Sequence, residues 1–404
     1  MRIDRSRLGL SLLMVLGGLA LFVAMAIVAM WPTGDSGLRS PGGGSAQLES
    51  ATVTSVEPGR CRAAVAVGEG AGQDPEAARC RRVGIELTSG PDSGLSAGFD
   101  LGPGFSISPG DDIRVTATDL PPDAVVGGVP ADRYSFADFQ RNSSLLWLAL
   151  AFVALVVITG RWRGARALLG LGASLAIVVM FVAPAILEGT SPPAVALVGA
   201  LAIMLVAIPV THGLGPKSVA ALLGTTAALL LTIGLAQFAT DLAHITGFGS
   251  EEASFLNAIG GDTLSIQGLL IAGIVIGALG VLDDLTISQA STVMALRHAN
   301  PELSARALFS RGMSVGHDHI AAVVNTLVLA YAGAALPVLL VFSLADTGLG
   351  DAINSEVVAA EIVATLVGSI GLIAAAPITT GLAALLAVRT DPELLHDDGH
   401  GHHH

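Results

Sequence analysis

The chain has 404 residues, 52% of them hydrophobic and only 13% charged, and its mean hydropathy is +0.70. A soluble domain carries about twice that charge, and a net charge of −13 without any basic aromatic surface argues against a nucleic-acid partner. Apolar runs recur at roughly the 20 residues that a bilayer-crossing helix needs, which defines a polytopic α-helical membrane protein whose first partner is the lipid bilayer.

The first run, Leu8 to Trp31, follows the basic start "MRIDRSR". A signal peptide has the same charged opening, but this run is long for a signal-peptide core and no small-x-small cleavage site follows it. Residues 1–31 therefore read as an uncleaved transmembrane anchor. "PTGDSGLRSPGGGS" then marks a Gly/Ser/Pro-rich linker over 32–49.

Residues 50–135 change character. Val83, Ile85 and Leu87 alternate with polar residues, as do Ile113, Val115 and Ala117, between turns such as "SGPDSG". Period-two apolarity predicts short antiparallel strands, hence a small β-barrel or sandwich resembling an OB-fold. This region holds Cys61 and Cys80, the only two cysteines. An extracytoplasmic location makes a disulfide their natural state; two unpaired thiols are the alternative.

From residue 144 to 388 the pattern is membranous again. Spans are predicted near 144–160, 167–187, 194–211, 218–238, 264–282, 317–342 and 357–388, which with the anchor makes eight. Pro377 is a predicted bend in the last. With a cytoplasmic N-terminus, the inner segments hold Arg2, Arg5 and Arg7; Arg161, Arg163 and Arg166; Lys217; Arg297, Arg306 and Arg311; and Arg389. The outer loops 188–193, 239–263 and 343–356 contain no Lys or Arg. The positive-inside rule then places both termini in the cytoplasm and the β-domain outside the membrane.

The chemistry concentrates in "GVLDDLTISQAST", residues 280–292, and "GHDHIAAVVNT", residues 316–326. In this topology Asp283 and Asp284 end the sixth span while His317, Asp318 and His319 open the seventh at the same membrane level. "ANPELSARALFSRG" between them reads as an interfacial amphipathic helix. Asp284, Ser288, Ser291 and Thr292 share one helical face, and Asp318 and Asn325 share another. Carboxylates with imidazoles can hold a cation or relay protons, and ionisable groups at membrane depth are functional candidates. Helix capping by Asp318 with interfacial solvation, or a hydrogen-bonded structural lock, are the competing readings. The sequence leaves open whether the helix breaks at the aspartates or runs through them.

Other features carry less. Gly273, Gly277 and Gly280 read as close helix packing. Glu361 is the best acid near the outer end of the eighth span, and Glu356 belongs to the headgroup region. The tail 389–404 is disordered by composition; its histidines can bind metal weakly or simply be solvated. H-x-H with nearby Asp is too loose a pattern to assign a metal. H-E-x-x-H and G-x-S-x-G are absent, and "THGLGPKS" fails the P-loop spacing. An intramembrane aspartyl protease lacks its Gly-x-Gly-Asp context, so no enzyme and no cofactor are expected.

Read together, "RNSSLLWLALAFVALVVITGRWRGARALLGL", "GALGVLDDLTISQAS", "NPELSARALFSRGMSVGHDHIAAVVNTLVLAYAGAALPVLL" and "GSIGLIAAAPIT" resemble the YibE/F-like family of bacterial membrane proteins, most strongly from Asn142 to Thr379. The resemblance implies a permease-like integral protein of the bacterial cytoplasmic membrane. It supplies no substrate or catalytic residue; it adds emphasis to Asp284, Ser288, Gly316, Asp318 and Asn325. The histidines flanking Asp318 depart from that pattern. The leading expectation is a transporter of a small solute or ion, with Asp283, Asp284, Ser288, His317, Asp318 and Asn325 forming a polar or proton-relay site. The rival is an assembly protein whose β-domain binds an envelope partner, or a homo-oligomer.

Overall fold

The alternation in the first half of the chain folds as its period demands. In a computed structural model, which describes residues 5–34, 48–60, 79–102, 104–118, 125–126, 129–130, 133–260, 263–345 and 348–390, the chain divides into two compact units. One is Pro41–Leu155; the other joins Met1–Ser40 to Val156–His404.

The first unit contains β1 (Leu48–Arg60), β2 (Arg79–Leu87), β3 (Ser96–Leu101), β4 (Asp112–Ala117), β5 (Val125–Val126), β6 (Val129–Pro130) and β7 (Tyr134–Phe139). Five strands form an antiparallel sheet in the order β3-β2-β1-β4-β7, and β5 pairs with β6 in a separate ribbon. Register places Val53 opposite Ile85, Val83 opposite Phe99 and Ala51 opposite Ile113, so the alternating apolar set lands on one face. Val83, Ile85, Ile113 and Val115 are fully buried there. Each such side chain contributes about 1.5–3 kcal/mol of transfer free energy. Bulges after Val53 and Arg114 curl the sheet. The rings of Phe99 on β3 and Phe136 on β7 lie 6.3 Å apart between centroids. These edge strands are not hydrogen-bonded to each other, so the predicted small barrel or sandwich is, among the described residues, a curled half-barrel. Cys80 is buried at the start of β2; Cys61, its predicted partner, lies outside the described residues.

The helical elements are α1 (Arg5–Ala29), α2 (Asn142–Ile177), a π-helical turn (Val178–Val182), α3 (Ala183–Leu187), α4 (Pro192–His212), α5 (Pro216–Leu242), α6 (Glu251–Gly260), α7 (Ile266–Ala299), α8 (Ala305–Leu344), α9 (Leu349–Asn354) and α10 (Glu356–Ala387). Among the described residues, six helices are long and apolar enough to cross a membrane: the continuous run 142–187, α4, α5, α7, α8 and α10. α1 packs Val23 into the same core, and its exit is pinned by Trp31 stacking on Phe181.

The predicted spans 144–160 and 167–187 are the two arms of α2 and its continuation. They meet not in a loop but at Arg161, whose φ of 51° and ψ of −134° break the helix. The bend is tight enough that a Cβ on Gly164 would collide with the carbonyl of Val156, and only glycine fits there. Beyond it, Arg166 donates to the carbonyls of Val210 and Pro209, capping the C-terminal end of α4 where a cation suits the helix dipole.

α5, α7 and α10 form the centre of this unit, with α4 and α8 packed around them. α5 and α10 run antiparallel and interlock reciprocally. A Cβ on Gly224 would strike Thr379, and a Cβ on Gly371 would strike the hydroxyl of Thr232. Both helices carry the same spacing, G-x-x-A-A-x-x-x-T, at 224–232 and 371–379. Each glycine thus receives the other helix's threonine, the small-residue contact that lets helices approach where lipid gives no hydrophobic drive.

Candidate functional site

α7 answers the question left open by the paired aspartates. Ser265 caps it through the N–H of Gly268 at 3.0 Å, and the helix runs unbroken through Asp283 and Asp284 to Ala299. Leu282 and Leu285 flank the pair directly, and nothing between Gly280 and Ala299 is a breaker. α8 likewise differs from expectation. The predicted interfacial helix and seventh span are one helix of 40 residues, capped by Ser304 through the N–H of Ala307 rather than by Asp318. At 1.5 Å per residue α7 is about 51 Å long and α8 about 60 Å, against a hydrocarbon core of about 30 Å.

The predicted polar cluster does not assemble. Asp283 is half-buried, and its Oδ1 is shielded from solvent without a hydrogen-bond partner. Asp284 is exposed on the face of α7 away from the core, and Ser288 is half-buried beside it. On α8, His317, Asp318 and Asn325 are all exposed, and His319 is half-buried with an unpartnered Nε2. Among the described residues no hydrogen bond or ion pair joins Asp283 or Asp284 to His317, Asp318 or Asn325. The physical reason lies in the helix phases. α8 turns Gly316, not Asp318, toward α7, where a Cβ would sit 2.9 Å from the amide of Gln289. Asp318, two residues on, is rotated away.

The polar groups that do meet were not singled out from the sequence. Thr225 of α5 and Thr286 of α7 share a hydrogen bond at 2.6 Å, and Thr380 of α10 donates to Gln289 Oε1 at 3.0 Å. All four are buried. Thr225 and Thr232 also donate to the carbonyls four residues earlier, at 3.0 and 2.8 Å, so their protons are satisfied locally. This layer ties α5, α7 and α10 together and buries no charge, which suits a lock better than a carrier site.

The uncovered face of α7 is the more unusual feature. Its exposed residues between Ile266 and Leu296 are Gly273, Gly277, Gly280, Asp284 and Ala295, flanked by half-buried Ser288 and Ser291. No large apolar side chain is fully exposed on it; half-buried Ile276 and Val281 border it. Nothing lies within 4 Å of the Cβ positions of Gly273 and Gly280, and only the Tyr331 hydroxyl approaches that of Gly277, at 3.3 Å. The result is a strip of exposed helix backbone leading to a carboxylate.

At the end of the bundle where α7 begins, two carboxylates act as clamps. Glu188 accepts from the N–H of Thr33 at 2.8 Å and of Gly34 at 2.6 Å, holding the chain after α1. Glu356 accepts from the N–H groups of Thr246, Gly247 and Phe248 at 2.6–3.0 Å, and from the Thr246 hydroxyl. Glu361, predicted as the outer-side acid, lies on α10 with its carbonyl taken by Thr365.

A separate cluster belongs to the sheet. Tyr134 donates to Asp92 at 2.7 Å, and Arg133 pairs with the same carboxylate at 3.2 Å. Burial, that hydrogen bond and the nearby negative charges of Glu49 and Asp92 push the Tyr134 phenol up to about 12, against the opposing pull of Arg133. Gly90, at φ +88°, folds its turn so closely over Glu49 that no side chain fits. Arg141 and the N–H of Phe139 hold the exposed Asp138 carboxyl below its ordinary range.

Among the described residues no group of three His, Cys, Asp or Glu side chains is placed to hold a metal. The histidines of the tail lie outside the described residues.

The long apolar helices, their threonine-glycine packing and the appended β-sheet define a helical membrane protein. A family model described as YibE/F-like protein matches residues 148–389, and the chain belongs to that family. No curated protein and no solved structure matches it.

Proposed function

We propose that the chain is a permease-like protein of the bacterial cytoplasmic membrane that moves a small solute or ion without covalent chemistry, along the open face of α7. The observation that carries this reading is the track Gly273, Gly277, Gly280, Asp284, with Ser288 and Ser291 beyond. Lipid gains nothing from bare backbone and a carboxylate, so such a face is better suited to water, solute or a close protein neighbour. By helix rise, Gly273 stands about 10 Å and Asp284 about 27 Å from the start of α7. The glycines thus occupy the hydrocarbon zone and Asp284 its far boundary.

In this reading α1 stays attached, the two arms of α2 are separate spans, and eight spans result. The end bearing Glu188 and Glu356 faces outside, and both termini and the arginine-rich end face the cytoplasm. The β-sheet lies outside too, where a Cys61–Cys80 disulfide is stable. The test covers the strip: a Cβ at Gly280 has no neighbour within 4 Å, so Gly280→Leu should fold as the parent does. It should fail to restore the phenotype of cells lacking the protein. Normal complementation by a folded Gly280→Leu protein would end the proposal.

A second reading rests on the same strip. Gly273-x-x-x-Gly277 is the spacing on which another helix packs closely, and exposed Asp318 and Asn325 also call for cover. A second copy or an envelope protein would then occupy the face, with the β-sheet as recognition surface. Deleting residues 45–135 should abolish function in this reading and leave a self-sufficient carrier active.

A further inference from the structure

A cavity of about 390 Å³ opens at the end of the bundle where α4 and α7 begin and α5 ends, lined by Gln237, Asp241, Ser191, Thr263, Ser265 and Gln267 among others. Its floor is fixed by a close approach: a Cβ on Gly268 would lie 3.3 Å from Pro192. Gln237 and Asp241 are one turn apart on α5 and share a face.

The hydrogen bonding decides what this cavity can take. Gln267 Nε2 donates to Asp241 Oδ1 at 3.1 Å, which fixes the carboxylate and leaves Gln267 Oε1 free to accept. Asp241 Oδ2 takes no hydrogen bond among the described residues. The Thr263 hydroxyl spends its proton on the carbonyl of Gly260, so toward the cavity it is an acceptor. The positive helix starts offer little to an anion. Pro192 and Pro193 remove two of the free N–H groups of α4, and Ser265 occupies the N–H of Gly268 on α7. The lining includes no Lys or Arg, and neither do the segments 188–193 and 239–263 around it. What remains is one negative charge, with oxygens of Gln237, Gln267 and Thr263 able to accept and the Ser191 and Ser265 hydroxyls able to turn either way.

We propose that this cavity binds a small organic ammonium ion, with Asp241 as counter-ion and the oxygens of Gln237, Gln267 and Thr263 accepting its N–H groups. A bare metal ion fits less well, since hard divalent cations gather six or more oxygens and usually several carboxylates. The site is independent of the strip: Gly268 faces Pro192, and Asp284 lies on the far side of α7.

The experiment is calorimetric titration of the full chain in lipid nanodiscs with putrescine, and separately with Mg²⁺. Saturable putrescine binding is expected, weakened up to about fivefold in Asp241→Asn, the worth of an ion pair at an exposed carboxylate. Gln237→Leu, which keeps the charge, should weaken it less, and Asp351→Asn, on the same end of the bundle but outside the cavity, should bind as the parent does. Asp284→Asn should also bind normally, so failure of the strip reading leaves this result untouched. Absence of saturable putrescine binding, unchanged affinity in folded Asp241→Asn, or saturation by Mg²⁺ alone would each overturn the proposal.

Discussion

The reciprocal glycine–threonine contacts between α5 and α10 make unequal demands, and this yields a sharp prediction. A Cβ at Gly371 collides with Thr232 Oγ1, but the next atoms are 3.4 and 3.7 Å away. The conflict is with one hydroxyl. At Gly224 the Cβ meets Thr379 Oγ1 and also its Cβ at 2.9 Å and its Cα at 3.1 Å, so the backbone itself is in the way. Overpacking of this kind costs about 1–3 kcal/mol, while alanine returns up to about 1 kcal/mol of helix propensity. Gly371→Ala should therefore be destabilising by about 0–3 kcal/mol on these figures, toward the lower end because one hydroxyl is in the way. Adding Thr232→Ala should restore it, because that hydroxyl bonds only within its own helix. Gly224→Ala should cost more and be only partly rescued by Thr379→Ala. Thermal unfolding of the purified protein in detergent, followed by loss of the monodisperse peak, measures all four variants. The reasoning is refuted if Gly224→Ala is harmless, or if Thr232→Ala makes Gly371→Ala worse.

Three further outcomes follow from the geometry. A double-mutant cycle with Thr225→Val and Thr286→Val should give a coupling of about 0.6 kcal/mol, the usual worth of an interhelical hydrogen bond in a membrane; a cycle that closes to zero would remove that contact from the account. Tyr134 loses its proton near 12 in the folded sheet instead of near 10, so the stability it contributes is complete below about pH 10 and declines as pH rises toward 12. Since the chain has two tyrosines, a phenolate absorbance titration of the parent against Tyr134→Phe isolates this step; a difference curve centred near 10 would contradict it. Glu356→Gln should weaken the acceptor for three backbone N–H groups, and faster amide exchange at Thr246, Gly247 and Phe248 is the expected result.

Hydropathy and periodicity carried most of the architecture, because length of apolar run and period-two alternation are local properties. They place α4, α5 and α10, and the buried Val83, Ile85, Ile113 and Val115. They could not place the paired polar residues. Gln289 and Asp284 stand five residues apart on α7, yet one is buried against Thr380 and the other exposed. Which phase is covered depends on where α8 and α10 pack, and that is set by Gly316, Gly312 and Gly371, residues with no polar signal of their own. The charged ends misled in a similar way. Arginines at 161–166 read as a loop, whereas one residue in an unusual conformation makes the turn. The run into "ANPELSARALFSRG" read as a separate helix because its amphipathic composition differs from the apolar segment that follows.

The most direct test is chemical access to the α7 face in native membranes. Gly280→Cys and Asp284→Cys, placed singly, are treated with a membrane-impermeant maleimide on opened membranes, and labelling at that peptide is read by mass spectrometry. A parallel sample is oxidised to trap disulfides between copies. The account predicts labelling of both positions by the aqueous reagent and no linked dimer. Unlabelled positions that crosslink between copies would contradict it and give the strip to a second helix.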